Sequence, residues 1–350
     1  MDKVKLVFVG VGSMGQCAHL KNYVLVPQCE VVAIAELREK LGKEVARRYN
    51  IPKVYRDYKE MFDREEFDGI VAIQPFTRHG IIIPELLEAK VPIFIEKPLA
   101  SSVEVGEKIV EATKKSGTWI MVGYHKRSDP ATVYTMSKIE EFKKSMEIGR
   151  VKYIRITMPP GDWIAGGFNE LIKTDEPYPS LEYDPPSRDM DEKTYKRYVD
   201  FVNYYIHQVN LLRYLLGEPY RVKYADPSGV IMAVESEGGI PGIIEMSPYR
   251  TTIDWQESVL VAFEYGYIKL SLSAPLTYNR AGRVEIFKDP GDGKTPETIV
   301  PQLPWIHAMY NQAVNFVRAI KGEIKPPCDV EEALEDLKIA KDYIMLLKTL

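Results

Sequence analysis

A membrane-spanning helix needs about 20 consecutive apolar residues, and no run in this 350-residue chain approaches that. A strand pattern begins almost at Met1, which leaves no room for a secretory leader, so a cytoplasmic protein is expected. Cysteine is scarce: Cys17, Cys29 and Cys328 are the only three. Their spacing matches no metal site, so no metal is expected, and a reduced compartment with packing roles for the thiols is the simplest expectation. Cys17 reads as a small packing residue rather than a nucleophile. An excess of one charge is also missing. With 46 Lys and Arg against 50 Asp and Glu, the net charge of −4 gives no reason to expect nucleic acid or a membrane as partner. No internal repeat is visible. Tyrosine is abundant, at 22 residues; many tyrosines suit sugar or polar-ring recognition, although core and interface uses account for most. The length suits two domains or one large one.

Up to about residue 122, short apolar runs alternate with helical patterns. Strands are predicted at 4–9, 30–35, 69–73, 93–95 and 118–122, and helices at 16–23, 39–49, 81–89 and 103–115. Apolar strands separated by helices imply a parallel sheet covered on both faces. From residue 150 the pattern changes. Strands are predicted at 151–158, 221–225, 230–236, 242–246, 258–265, 267–272 and 284–287, interrupted by one long helix at 196–216. Tight turns such as Tyr265-Gly266-Tyr267 point to a mostly antiparallel sheet, with the helix on one face and the other open to a partner subunit. Two helices, 306–320 and 330–347, close the chain. The irregular stretch 161–196 is rich in proline, acids and aromatics. It exceeds a normal connection and reads either as a binding loop or lid, or as a solvated excursion.

The most informative residues are Gly10-Val11-Gly12-Ser13-Met14-Gly15. They follow an apolar strand and open a helical segment, and Glu36 stands at the end of the next apolar run. This is the layout of a dinucleotide-binding unit. Gly10 permits the tight turn, Gly12 leaves no side chain against the pyrophosphate, and Gly15 lets the helix sit close on the sheet. The helix N-terminus offers N–H groups to phosphate, and Glu36 would accept hydrogen bonds from the adenosine ribose. Glu36 repels a 2′-phosphate, which favours NAD; Arg38 beside it would pair with that phosphate, which keeps NADP open. Three further strand exits lie at the same sheet edge. Gln74-Pro75 would turn the chain across the cofactor, with His79 either capping the next helix or touching the cofactor. Glu96-Lys97-Pro98 places Lys97 where the reactive ring should lie, and Pro98 restricts its backbone. Tyr124, with His125-Lys126-Arg127, forms a cationic and aromatic cluster suited to a polyhydroxylated or carboxylated substrate, or else a solvated turn. Asp162, Trp163 and Tyr183 in the long loop are further candidate substrate contacts.

These motifs, taken in order with Pro130 and with His207 followed by Leu216-Gly217-Glu218-Pro219, resemble the Gfo/Idh/MocA family of oxidoreductases over essentially the whole chain. The resemblance implies an α/β fold: an N-terminal Rossmann domain, here 1–124, and a C-terminal α+β domain, 125–350, with a large open, mostly antiparallel sheet and closing helices free to pack back on the first domain. It implies hydride transfer between NAD or NADP and a hydroxyl or ketone carbon of a sugar, inositol or related polyol, and a homodimer or homotetramer built through the sheet. It further implies that Lys97 orients substrate and that His207 accepts or donates the proton. The chain departs from the family where an aspartate usually stands four residues before the histidine: here Asn203 does. The acid usually three residues after it is Asn210. On a continuous helix 203, 207 and 210 share one face, so Asn203 remains a candidate substrate contact. Asp200, two turns earlier, is a candidate replacement charge. A glycosidase acting by transient oxidation and elimination, and a nucleotide-binding sensor without turnover, stay open as alternatives.

Overall fold

The computed structural model describes residues 3–291 and 293–349. In chain order the elements are β1 (Val4–Val9), α1 (a π-helical Gly15–Leu20 continued by an α-helical Lys21–Tyr23), β2 (Cys29–Ala35), α2 (Glu39–Tyr49), β3 (Lys53–Tyr55), α3 (Tyr58–Arg64), β4 (Gly69–Ala72), α4 (His79–Leu87), β5 (Ile93–Glu96), α5 (Val103–Ser116) and β6 (Ile120–Gly123). There follow α6 (Pro130–Ser145), β7 (Val151–Thr157), α7 (Glu192–Tyr204), α8 (Ile206–Leu216), β8 (Tyr220–Ala225), β9 (Ile231–Ser236) and β10 (Pro241–Glu245). The chain ends with β11 (Glu257–Phe263), β12 (Gly266–Leu272), β13 (Arg283–Lys288), β14 (Glu297–Ile299), α9 (Ala308–Ile320) and α10 (Val330–Thr349). They divide into two compact units. The first comprises Met1–Tyr124, Gly166–Tyr195 and Met309–Leu337; the second comprises His125–Ala165, Lys196–Ala308 and Lys338–Leu350.

The first unit holds a six-stranded sheet in the order β3-β2-β1-β4-β5-β6, every pair parallel. All residues of β4, β5 and β6 are buried, as expected of strands covered on both faces. The strand order reverses between β1 and β4, the place where an open α/β sheet parts its loops for a ligand. Edge-to-face rings tie the core together: Phe8 to Tyr23 at 5.4 Å and Phe94 to Phe316 of α9 at 5.8 Å. Such pairs contribute about 0.5–1.5 kcal/mol beyond their area burial.

The second unit holds an eight-stranded sheet, β14-β13-β12-β11-β7-β10-β9-β8. Only β7 and β10 run parallel; the remaining pairs are antiparallel. The alternating burial of β9 marks one buried face, over which α8 packs against β7 and β10 and α6 against β12 and β13. Among the described residues no helix is long and apolar enough to cross a membrane.

Several elements were not expected. β3 and α3 lie between residues 50 and 69, and α6 between 123 and 150, two stretches to which no element was assigned. The helix predicted at 196–216 is two helices that part at Tyr205. The cause is tertiary: the Tyr205 hydroxyl donates to the Met246 carbonyl at 2.6 Å and lies 2.7 Å from Ser247 Oγ, anchoring the break beyond the end of β10.

Two positions fix the exits of the parallel strands. Gly10 has φ +96°, and a Cβ there would lie 2.5 Å from both the Ile73 carbonyl oxygen and Gln74 Nε2. His79 is buried, and its Nδ1 lies 3.0 Å from the Leu99 carbonyl, which assigns the proton to Nδ1. Burial pushes the pKa of this ring down to about 4 from its ordinary 6.5.

Gly10→Ala is expected to lose about 3 kcal/mol of stability, from backbone strain plus overpacking; an unchanged denaturation midpoint would contradict the packing described. For His79, the unfolded chain binds a proton between pH 6.5 and about 4 that the folded chain does not. Its contribution is therefore fully present above pH 6.5 and is lost as the pH falls through about 4, on the order of 3 kcal/mol in all. Urea unfolding from pH 7.5 down to the acid limit should show a shallower pH dependence for His79→Gln than for the natural chain. Identical slopes would refute the assignment.

Candidate active site

In the first unit, the β1 exit, the β2 end and the β4 exit meet. Gly10 N donates to the Ala35 carbonyl at 2.9 Å. Gln74 Nε2 donates to the Val9 carbonyl at 3.0 Å and so fills the place a Gly10 side chain would take. A Cβ on Gly15 would stand 2.7 Å from the Gly10 carbonyl oxygen, which sets how closely α1 approaches the turn. At Gly12 the added atom would meet only Arg38 Nη2, at 3.6 Å. The backbone there is thus open on the side where a phosphate would lie, with Ser13 exposed and Met14 partly exposed beside it. Glu36 is buried under this turn. One carboxylate oxygen accepts from Val11 N at 3.0 Å; the other accepts from Arg38 N at 3.2 Å and Arg38 Nε at 2.8 Å. Open backbone over Gly12, a helix starting at the turn and a carboxylate at the end of β2 fit a dinucleotide.

Pro75 leads into a 3-10 turn, Phe76–Arg78, and the His79 ring is engaged with Leu99, just beyond Glu96-Lys97-Pro98. Glu96 is buried at the end of β5. Its Oε1 lies 2.6 Å from His19 Nε2, and its Oε2 accepts from Lys97 N at 3.1 Å. Burial pushes the Glu96 carboxyl up, but the bond to His19 and the Lys97 charge outweigh it and leave the pKa below its ordinary value. Glu96 is therefore an ionised brace for the backbone that carries Lys97. The Lys97–Pro98 peptide bond is cis, and Lys97 is partly exposed. His19 was not anticipated from the sequence. It sits in the π-helical segment of α1, where the Lys21 N–H reaches back to the Gln16 carbonyl. That wider turn alters which side chains face β5, and a 3.6-residue period cannot show it. Burial pushes the thiol of Cys17, in the same segment, up, in keeping with an inert packing role.

In the second unit the basic cluster is not solvated. Lys126 and Glu257 form a buried ion pair, which Gln208 Nε2 and Trp255 Nε1 join by donating to Glu257 at 2.7 and 3.2 Å. Arg127 is buried as well, donating from Nε to Asn210 Oδ1 at 2.7 Å with its guanidinium 4.8 Å from the centre of the Tyr214 ring. Glu257, which the sequence reading did not single out, is the acid that balances this cluster. His207, the second residue of α8, meets the edge of His125 with ring centres 4.6 Å apart. Asn203 is exposed in the last turn of α7. Asn203 thus stands on α7, and His207 and Asn210 stand on α8. Asp200 points to solvent and pairs with Lys196 at 2.8 Å, so its charge is engaged at the surface rather than replacing the expected aspartate.

The aromatic candidates separate. Trp163 lines a cleft of about 480 Å³ with Tyr204, Tyr205, Ser247 and Arg250. Burial pushes the Tyr204 hydroxyl up, so it stays a neutral donor. Asp162 Oδ1 closes a local turn, accepting from Ile164 N and Ala165 N, each at 3.0 Å. Tyr124 is buried at the end of β6, and Tyr183, in the first unit, is largely exposed.

Residues 4–124 match the model of an oxidoreductase family with an NAD-binding Rossmann fold. Over 95% of its length the chain is 24% identical to an uncharacterised oxidoreductase, YrbE, of Bacillus subtilis, covering 91% of that protein. It is 26% identical to scyllo-inositol 2-dehydrogenase (NAD(+)) of the same organism, over 70% of this chain and 67% of the relative. Its fold is that of a putative myo-inositol dehydrogenase from Sinorhizobium meliloti, with a TM-score of 0.70 at 20% identity, covering 99% of this chain and 98% of the other. With its glycine turn, buried acid and parallel sheet, the segment 4–124 is the part of the chain that matches the Gfo/Idh/MocA oxidoreductase family, as an NAD-binding Rossmann domain.

Proposed function

We propose that this dehydrogenase oxidises a secondary hydroxyl of a sugar, inositol or related polyol, and reduces the corresponding ketone in reverse. The observation that carries the reading is Lys97: it follows β5 on a backbone braced by ionised Glu96, in the unit that holds the glycine cradle. Gly10, Gly12, Ser13, Met14 and Gly15 would hold the pyrophosphate, Glu36 and Arg38 the adenosine ribose, and Gln74, Pro75, His79 and Glu96 would shape the strand exits around the rest. When bound there, NAD(P) accepts or returns a hydride at nicotinamide C4. Lys97 donates a charge-assisted hydrogen bond to the substrate oxygen and favours its alkoxide character. His207 takes the hydroxyl proton in oxidation and returns it in reduction.

The cleft beside Trp163 suits a polyhydroxylated ring. Tyr204 and Tyr205 add flat apolar surface with polar tips, and Ser247 and Arg250 add hydrogen-bonding groups. Asn203, Arg127, Tyr124, Asp162 and Tyr183 remain proposed substrate contacts of lower rank, because most of their polar groups serve internal bonds or lie in solvent. A homodimer or homotetramer formed through the eight-stranded sheet belongs to the same reading, supported by the partly exposed alternate residues of β9 and β11. The dehydrogenase names of the relatives favour net oxidation over the glycosidase and sensor alternatives.

A panel of inositols, polyols, aldoses and sugar acids, incubated with NAD or NADP and followed at the NADH absorbance, should give net reduction with at least one compound. Aglycone release without net NADH would point to the glycosidase instead. Lys97→Met and His207→Ala should each lower kcat by about 10²–10⁴-fold with little change in thermal unfolding. A folded, fully active Lys97→Met, or a His207→Ala whose turnover is unaltered at every pH, would remove that residue from the mechanism.

A further inference from the structure

The irregular segment Gly166–Tyr195 belongs to the first unit and is fastened across its strand exits at several points. Gln16 exchanges two hydrogen bonds with the Ile172 backbone, at 3.2 and 3.0 Å. Farther along, Asp184 N donates to the Thr77 carbonyl at 2.7 Å, and Asp184 Oδ2 accepts from Gly80 N at 2.9 Å. Between these ties the segment delivers Glu176 to the start of α2. One Glu176 oxygen accepts from Lys40 N at 3.0 Å, and the other accepts from Leu41 N at 2.9 Å and from the Thr174 hydroxyl at 3.0 Å. Two residues on, the Tyr178 ring lies 5.4 Å from the Arg38 guanidinium, the same group that Glu36 holds and that stands nearest to Gly12.

The first turn of a helix presents unpaired N–H groups and the positive end of its dipole, which together attract phosphate. In α2 that turn directly follows the end of β2, where the adenosine ribose of a dinucleotide is held. Its N-cap residue, Arg38, supplies no side-chain cap. A carboxylate from more than a hundred residues away in the chain takes the place instead.

We propose that Glu176 is a second cofactor-selecting acid: by occupying the N–H groups of Lys40 and Leu41 it denies them to a 2′-phosphate and, with Glu36 at the end of β2, reserves the cradle for NAD. The proposal rests on the reading of this unit as a dinucleotide site and adds to it a residue outside the glycine turn and the β2 end. Arg38 then serves to hold Glu36 and to support Tyr178, rather than to bind phosphate.

The test is equilibrium binding of NADH and NADPH to the full chain, by quenching of protein fluorescence at low salt, where exposed charges are least screened. The natural chain should bind NADH more tightly. Glu176→Gln, with Glu176→Ala as a second variant, should tighten NADPH about tenfold, equivalent to about 1.4 kcal/mol, and change NADH less than about twofold. Asp175→Asn is the control. It removes an equal charge one residue away, from a carboxylate that pairs with Lys40 Nζ rather than with the N–H groups, and should leave the NADPH-to-NADH ratio unaltered. A natural preference for NADPH, an unmoved ratio in both Glu176 variants, or an equal shift in Asp175→Asn would each overturn the proposal. Failure of the natural chain to bind either dinucleotide would instead overturn the cofactor-site reading beneath it.

Discussion

The cofactor end of the first unit depends on one close approach, that of the Gly10 backbone to the exit of β4. With no room there for a single carbon atom beside Ile73 and Gln74, β1 and β4 leave the sheet almost in contact before their loops diverge. That divergence at a strand-order reversal opens the crevice. The Gln74 side chain ties the β4 exit to Val9, and Glu36 ties the end of β2 to Val11. A cradle for phosphate thus follows from three strand ends locked to one turn.

Buried carboxylates do the corresponding work around the residues proposed to react. Glu96 is held by His19 and the Lys97 N–H; Glu257 is held by Lys126, Gln208 and Trp255. Buried ion pairs rarely add net stability, because desolvation offsets the attraction. They do penalise every arrangement that separates the partners. Both carboxylates are close in the chain or by hydrogen bond to a proposed catalytic group: Glu96 directly precedes Lys97, and Glu257 accepts from Gln208, which follows His207.

Much of the first unit was legible because its signals are local. An apolar strand, a glycine turn and an acid at the next strand end appear in consecutive residues and survive as β1, the α1 turn and β2. The start of α6 carried a local signal that went unused, since Asp129 caps it and Pro130 fills its first position. Other features depend on partners far away in the chain. The burial of Lys126 requires Glu257, the break at Tyr205 requires Met246, and the cap on α2 requires Glu176. Each pairing joins groups that no spacing rule connects, so Lys126 and Arg127 look available to substrate or solvent and 196–216 looks continuous when read alone. β3 escaped because three residues at a sheet edge, none of them buried, carry no periodicity. His19 escaped because a π turn alters the helical phase.

In the proposed reaction a hydride moves between a carbon of a polyhydroxylated substrate and the nicotinamide held in the first unit. Its most direct measurement uses perdeuterated polyols with unlabelled NAD, followed by mass spectrometry and proton NMR of the recovered cofactor. The expected product carries one deuterium at nicotinamide C4, on a single face of the ring. Turnover of a polyol with no label in the nicotinamide would contradict it.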